Sequence, residues 1–254
     1  SVCLFTCCWC LPSTMRVSSV LFSLIMVALG AGTVSAEASA VDAAAPAEPR
    51  SPAESTTEGG SGSCVSLEGE RKDPGTGIAF PLRGQFQEDT ELVLAGVGSR
   101  VKAYVLTIYS VGFYAEQGTL LATGGGEGCA KALHEAGGRM AVTLTFHMGV
   151  GAKKVAEALA GVTEVDKDVI KSFQKQLVDG MGGTMAKHES MTIEWTSRGS
   201  ILLSVRGTPI GEVDDANLAS GLLDMYIGGK SVSPSLVKDI AAHTTELVPT
   251  LTAC

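Results

Sequence analysis

The segment from Leu94 to Ala115 constrains the fold more than any other part of the chain. Its Val, Leu, Ile and Tyr residues are typical of β-strands that are buried on both faces. Arg100 lies within this run, and no Asp or Glu occurs between it and Glu116. A guanidinium keeps its proton in a protein, so a shielded Arg100 needs an anionic or strongly accepting partner. The alternative is a position at a strand edge, where the side chain reaches water or a distant carboxylate.

Periodic patterns on either side of this run predict the remaining elements. Alternation of apolar and polar residues predicts strands over Thr76–Leu82, Glu91–Val97, Arg139–Met148 and Pro209–Val213, and a hairpin from Met191 to Val205. Helical spacing predicts one helix through Val155, Leu159 and Val162 and a second from Val169 to Leu177. It also predicts a third helix from Asp215 to Ile227. A last helix is expected to start at Pro234, with Ser233 as its cap. This order predicts an α+β fold in which a layer of α-helices covers one face of an antiparallel β-sheet.

The first residues have the pattern of a targeting segment rather than of a folded domain. Residues 1–14 precede a credible initiator, Met15, and are not expected in the mature protein. Residues 15–36 combine an Arg, an apolar stretch and a small-residue cleavage site, which predicts a signal peptide cut after Ala36. The apolar stretch is shorter than the ~20 residues of a comfortable membrane span, so no stable membrane anchor is expected.

Residues 37–75 are rich in Ala, Ser, Pro and Glu, which predicts a disordered linker ahead of a folded domain at 76–254. We therefore expect a secreted or lumenal protein. A bipartite route to a plastid is disfavoured because the linker is acidic, whereas transit peptides are poor in acidic residues.

Charge and cysteine content narrow the function classes. The chain has 19 Lys and Arg against 27 Asp and Glu, a net charge of −8, with no clustered basic footprint for nucleic acid. Beyond the targeting segment only Cys64, Cys129 and Cys254 remain, which allows one disulfide of undetermined pairing or three free thiols. Metal-ligand spacings, phosphate-binding glycine loops and nucleophile elbows are absent from the sequence, so no metal and no cofactor are expected.

Several motifs in order are similar to the chalcone isomerase superfamily. Gly98-Ser99-Arg100, followed by Tyr109-Ser110-Val111-Gly112-Phe113-Tyr114, resembles the second-strand region of that family. The resemblance spans roughly Gly77 to Leu247 and continues through the Lys-Val-Ala-Glu-Ala-Leu helix at Lys154, Phe173, Asn217–Ser220, Leu223–Gly228 and Val232–Pro234. It implies the open fold of the family, with helices on one face of an antiparallel sheet.

The family's catalytic members close a flavanone ring with an Arg and a Thr on strands, a Tyr and an Asn on the first long helix, and a later Thr or Ser. In this chain Arg100 matches the arginine, and Tyr109 stands at the strand Thr position. The helix positions correspond to Gly151 and Ala158, which have no side-chain donors, and the late position corresponds to Ala219 with Ser220 beside it.

This pattern resembles the non-catalytic, fatty-acid-binding branch, in which an Arg and a Tyr hold a carboxylate. The resemblance implies a domain without catalytic residues that binds a small amphipathic carboxylate through Arg100, Tyr109 and Ser220. We expect the protein to be a monomer. One alternative is an intramolecular lyase that acts on a chalcone or other enone, with Arg100 stabilising negative charge and Tyr109 orienting a water. Another is a structural or interaction domain without a ligand, in which Arg100 is paired within the protein.

One geometric point opposes the pairing of these residues. Arg100 and Tyr109 are nine positions apart, so on one regular strand they would face opposite sides of the sheet. A turn or bulge between Val101 and Leu106 is required if both line one pocket, and no Gly or Pro occurs there.

Overall fold

The computed structural model describes residues 67–87, 90–102, 105–162 and 165–252. The upstream segment, the signal peptide, Cys64, Cys254 and most of the linker that we predict from the sequence lie outside these residues. The chain divides into two units, Ser1–Thr57 and Glu58–Cys254, and all of the described residues belong to the second.

Strand β1 (Glu70–Lys72) falls inside the predicted linker and pairs with β2 (Ala79–Pro81). The folded domain therefore begins before residue 76.

One antiparallel sheet of seven strands organises the domain. The strands are β3 (Arg83–Gln85), β4 (Glu91–Lys102), β5 (Leu106–Ala115), β6 (Met140–Phe146), β9 (Ser190–Trp195), β10 (Ile201–Val205) and β11 (Thr208–Val213). Their spatial order is β11-β10-β9-β6-β5-β4-β3. A separate short pair joins β7 (Val150–Gly151) to β8 (Thr184–Met185). The predicted hairpin is β9–β10, and the alternation of β6 places Met140, Val142, Leu144 and Phe146 in the core.

The helices are α1 (Gln117–Thr123), α2 (Cys129–Ala136), α3 (Ala152–Leu159), α4 (Lys167–Met181), α5 (Ala216–Ile227) and α6 (Pro234–Thr252). Helices α1 and α2 are not predicted from the sequence, because they are short and lie among glycines, Gly124–Gly126, Gly128, Gly137 and Gly138, which are typical of loops. Val162 lies beyond the end of α3, which stops before Gly161, so its assignment to that helix is wrong. The α+β class, with helices over an antiparallel sheet, is confirmed.

Both faces of the central strands are buried, each by a different hydrophobic core. The main core lies between the sheet and the helices and includes Tyr109, Phe146, Phe173 and Tyr226. A smaller core on the opposite face is formed by Phe80, Leu92, Leu94, Val97, Tyr114 and Ala141. The apolar run of β4 and β5 is therefore covered twice, as its composition predicts.

Helix α6 packs directly onto β4 just before Arg100. A Cβ added to Gly98 would lie 2.4 Å from the backbone nitrogen of Leu236, so only glycine permits this close approach. The backbone N–H of Ser99 donates to Ser235 Oγ over 3.0 Å, and the Ser233 hydroxyl donates to the Ser99 carbonyl over 3.0 Å. The expected cap residue Ser233 thus uses its hydroxyl to anchor β4, which holds the chain in place beside Arg100.

Candidate functional site

Arg100 and Tyr109 lie directly opposite each other on the β4–β5 hairpin. The chain turns between Lys102 and Leu106, so the alternation rule of a single strand does not apply to this pair. Residues that are directly opposed in an antiparallel pair point to the same face of the sheet. A register shift between Arg100 and Val101 marks a β-bulge next to the pair. The turn and the bulge resolve the geometric objection from the sequence.

The two side chains line a cavity of about 300 Å³ between the hairpin, β6 and α3. Its apolar wall includes Leu106, Ile108, Leu144, Phe146, Val155 and Leu159. Besides Arg100 and Tyr109, the charged or polar side chains at this cavity are Lys102 and Lys154. No acidic residue in the described part of the chain lines it. An apolar chamber with basic groups matches a ligand that has a hydrophobic body and an anionic head.

Arg100 stacks on the ring of Tyr109. Its guanidinium carbon lies 5.9 Å from the ring centroid, within the range of a cation–π contact. Across residues 67–87, 90–102, 105–162 and 165–252, no carboxylate forms an ion pair with Arg100. The contact orients the guanidinium and leaves its hydrogen-bond donors available to an anion.

Two buried phenols accompany this arginine. Tyr109 is 4 % exposed and Tyr226, on α5, is 0 % exposed; the two phenols are neighbours, and neither hydroxyl makes a hydrogen bond of good geometry among the described protein atoms. Burial raises the pKa of Tyr226 well above its ordinary value; the charge and the hydroxyl of the neighbouring Tyr109 raise this pKa further, and the charge of Arg100 lowers it. Tyr226 therefore stays protonated. An unsatisfied buried hydroxyl costs about 1–3 kcal/mol, which a bound oxygen acceptor would recover.

The comparisons with known proteins concern the family and the fold. A family model described as chalcone isomerase-like matches residues 75–240, which is more than half of the chain. The chain belongs to the chalcone isomerase-like family.

Structural comparison places this chalcone isomerase-like domain beside a crystal structure of a fatty-acid-binding protein from Arabidopsis thaliana. The TM-score is 0.59 at 20 % sequence identity, and the match covers 71 % of this chain and 99 % of that one. At this identity the likeness concerns the fold. A search of curated proteins finds no match. Among the described residues, no helix is both long and apolar enough to cross a membrane.

The other positions implied by the family resemblance separate into two groups. Gly151 and Ala158 both line the cavity, and neither offers a side-chain donor. Ser220 lies on an exposed position of α5 and is not part of the cavity wall. The adjacent Ala219 is buried, and its carbonyl accepts a 2.8 Å hydrogen bond from Trp195 Nε1. The structure thus brings together Arg100 and Tyr109 but not Ser220.

Sequence reasoning missed Tyr226 as a site residue. Its segment, Leu223–Gly228, carries part of the family resemblance, but nothing local in the sequence connects it with a position more than a hundred residues earlier. The helical pattern of α5 is the sequence signal that could have identified Tyr226 as a buried residue. Tyr226 follows Leu222 and Leu223 by four and three residues, which puts all three on one buried face of the helix.

A second polar cluster lies on the opposite face of the sheet. The carboxylate of Asp73 accepts hydrogen bonds from Ser110 Oγ at 2.7 Å, Thr76 Oγ1 at 2.8 Å and the backbone N–H of Gly75 at 3.0 Å. The Nε2 atom of His147 lies 2.9 Å from Ser110 Oγ. This cluster ties the turn after β1 to the sheet.

Proposed function

We propose that this chalcone isomerase-like domain binds a fatty acid, or a similar amphipathic carboxylate, without converting it. The observation that carries the proposal is the pair of Arg100 and Tyr109 on the wall of an apolar cavity, with the fully buried Tyr226 next to Tyr109. A planar guanidinium fork matches a carboxylate, and a protonated phenol donates to an acceptor oxygen. The carboxylate would accept from donors that have no partner among the described protein atoms.

The size and lining of the cavity support an acyl chain of modest length. About 300 Å³ lies at the low end of the range for small-molecule pockets. Each buried methylene contributes about 0.8 kcal/mol, so an alkyl chain that fills the apolar wall adds substantially to the affinity. We infer that medium chains fit better than long ones.

The same wall argues against ring closure. A cyclase must hold the substrate in a reactive pose and aim donors at the developing charge. The two helix positions that supply such donors in catalytic relatives are Gly151 and Ala158 here. We therefore expect a hydroxychalcone, followed by its absorbance, to cyclise no faster with this protein than in buffer.

The test compares ligands that differ only in the head group. Calorimetric titration with decanoate and with decanol separates head-group recognition from burial of the chain. We expect decanoate to bind about 10- to 150-fold more tightly, because hydrogen bonds to a charged group contribute about 1.5–3 kcal/mol. Equal affinities would overturn the role of the arginine, and absence of decanoate binding would overturn the proposal. Mass spectrometry of lipid extracted from the purified protein would identify the natural ligand.

We also propose a secreted or lumenal location, on the basis of the signal peptide pattern at 15–36. N-terminal sequencing of the mature protein is expected to start at Glu37. A mature protein that retains the apolar residues before Ala36 in a membrane fraction would contradict it.

A further inference from the structure

The exposed large apolar side chains of the described residues are concentrated at one place. They are Val101, Val105, Leu106 and Met148, and they are 47 %, 87 %, 45 % and 37 % exposed. The first three lie at or beside the tip of the β4–β5 hairpin, and Met148 follows β6. Leu106 and Met148 also line the cavity, so two of the four lie at its mouth. Single exposed apolar residues are ordinary on a protein surface, whereas several close together at one end of a hairpin mark an interaction site.

The charged side chains around this opening are basic. Lys102 and Lys154 lie at the cavity, and neither forms an ion pair within the part of the chain that the structure describes. Some other exposed lysines, such as Lys153, Lys171 and Lys175, pair with carboxylates, whereas no acidic residue of the described chain lines this cavity. The chain as a whole has a net charge of −8. The opening is thus a basic, apolar spot on an acidic protein.

We propose that the tip of the β4–β5 hairpin docks on an anionic membrane surface. Val105 and Leu106 enter the boundary between head groups and acyl chains, and Lys102 and Lys154 contact the anionic head groups. Flexible lysine stems let the ammonium groups remain at the head-group level while the apolar tip lies deeper. Docking is peripheral and reversible, because only a few side chains are inserted.

The observations favour a membrane over a protein partner. A stable protein interface buries about 800 Å² on each side and has an extended apolar core. The apolar group here consists of four side chains at a hairpin tip and a turn, flanked by unpaired cations. If the proposed fatty-acid function holds, this orientation also points the cavity mouth at the bilayer, so that the ligand passes between the two without crossing water.

Vesicle co-sedimentation tests the docking without any fatty acid present. The fragment 58–254 is suitable because it contains the complete sheet and both hydrophobic cores. It is mixed with vesicles of phosphatidylcholine alone or with about 30 % phosphatidylglycerol, the anionic component. We expect binding to the anionic vesicles, weakened by salt, and little binding to the neutral ones.

Matched variants assign the binding to the hairpin tip. Lys102→Gln and Lys154→Gln should each weaken anionic-vesicle binding about fivefold, because a basic residue near such a surface contributes about 1 kcal/mol. Val105→Ser should weaken it about tenfold through loss of the inserted apolar group. Lys175→Gln, on α4, is the control and should leave it unchanged. Decanoate affinity in solution should be the same in Val105→Ser as in the unmodified fragment.

Three results would overturn the proposal. The first is absence of anionic-vesicle binding by the unmodified fragment, and the second is equal loss in Lys175→Gln and Lys102→Gln. The third is self-association in sedimentation equilibrium that Val105→Ser abolishes, without vesicle binding, because it would show that the tip contacts a second copy of the chain. Failure of decanoate binding with intact vesicle docking would refute the proposed function and leave this inference standing.

Discussion

Two adjacent residues of β5, Tyr109 and Ser110, point to opposite faces of the sheet and have contrasting surroundings. Ser110 is fully buried within a cluster in which its hydroxyl contacts Asp73, Thr76 and His147. Tyr109 is almost as deeply buried, but its hydroxyl has no partner among the described protein atoms. Burial alone therefore does not distinguish the two faces. The difference lies in whether the buried polar groups are satisfied.

This contrast separates a structural role from a binding role. A satisfied cluster is already at its lowest energy in the folded protein, so any change to it costs stability. Unpartnered phenols beside an unpaired arginine cost folding energy and gain it back when an acceptor arrives. We therefore expect substitutions on the Asp73 face to change stability and substitutions on the Arg100 face to change affinity.

The largest effect is expected from Arg100→Ala. Removal of the guanidinium should weaken decanoate binding by about 2–5 kcal/mol, the usual cost of deleting one partner of a desolvated charge pair. Calorimetric titration measures the change, and Arg83→Ala, which removes an arginine paired with Glu91 away from the cavity, is the control. Unchanged affinity in a folded Arg100→Ala variant would mean that the arginine is structural.

Asp73→Asn should lower the stability of the protein and leave its affinity for decanoate unchanged, the reverse of what we expect for Arg100→Ala. Loss of the charged acceptor for three hydrogen bonds is expected to lower the free energy of unfolding by about 1.5–3 kcal/mol, with decanoate affinity unchanged. Urea denaturation gives the stability. Asp179→Asn is the control, because its exposed pair with Lys175 contributes little. A decrease in decanoate affinity without loss of stability would refute the division of roles between the two faces.

Tyr109→Phe and Tyr226→Phe test the unpartnered hydroxyls with a smaller effect. Tyr109→Phe should weaken decanoate binding by about 0.5–1.5 kcal/mol, the contribution of one hydrogen bond, and Tyr226→Phe should weaken it less, because Tyr226 is not part of the cavity wall. Neither should markedly lower the stability of the ligand-free protein, since neither hydroxyl has a well-formed hydrogen bond to lose. Titration and urea denaturation of the same samples give both quantities. A marked loss of stability would place the phenols in a structural network instead.

The smallest expected effect is that of pH on the free energy of unfolding. Burial lowers the pKa of both His147 and His243, although Asp73 opposes the shift at His147 and Asp239 opposes it at His243. The unfolded chain therefore binds more protons than the folded protein once the pH falls below about 6.5, so stability declines toward acid. Urea denaturation at several pH values should show this decline, and His147→Gln should make it shallower. A decline of the same slope in the variant would assign the effect to other groups.

Much of the fold could be predicted because its signals are local. The alternation in β6, the β9–β10 hairpin and the start of α6 at Pro234 depend on neighbouring residues. The bend that pairs Arg100 with Tyr109 has no such signal, since its turn contains neither Gly nor Pro. Helices α1 and α2 were not predicted because each is short and the glycines around them are typical of loops.

By itself, the sequence determined that the chain forms an α+β domain and that a strand run around Arg100 is buried on both faces. Periodicity and composition carry that information because each residue contributes to it through its neighbours. Arg100 and Tyr109 became site candidates through the resemblance to the chalcone isomerase superfamily. Only the tertiary structure decided that Arg100 faces Tyr109 across a hairpin, that Tyr226 joins them and that Ser220 does not. These relations depend on the hairpin turn and on the packing of α5 against the sheet. They join residues far apart in the chain, and no local pattern encodes them.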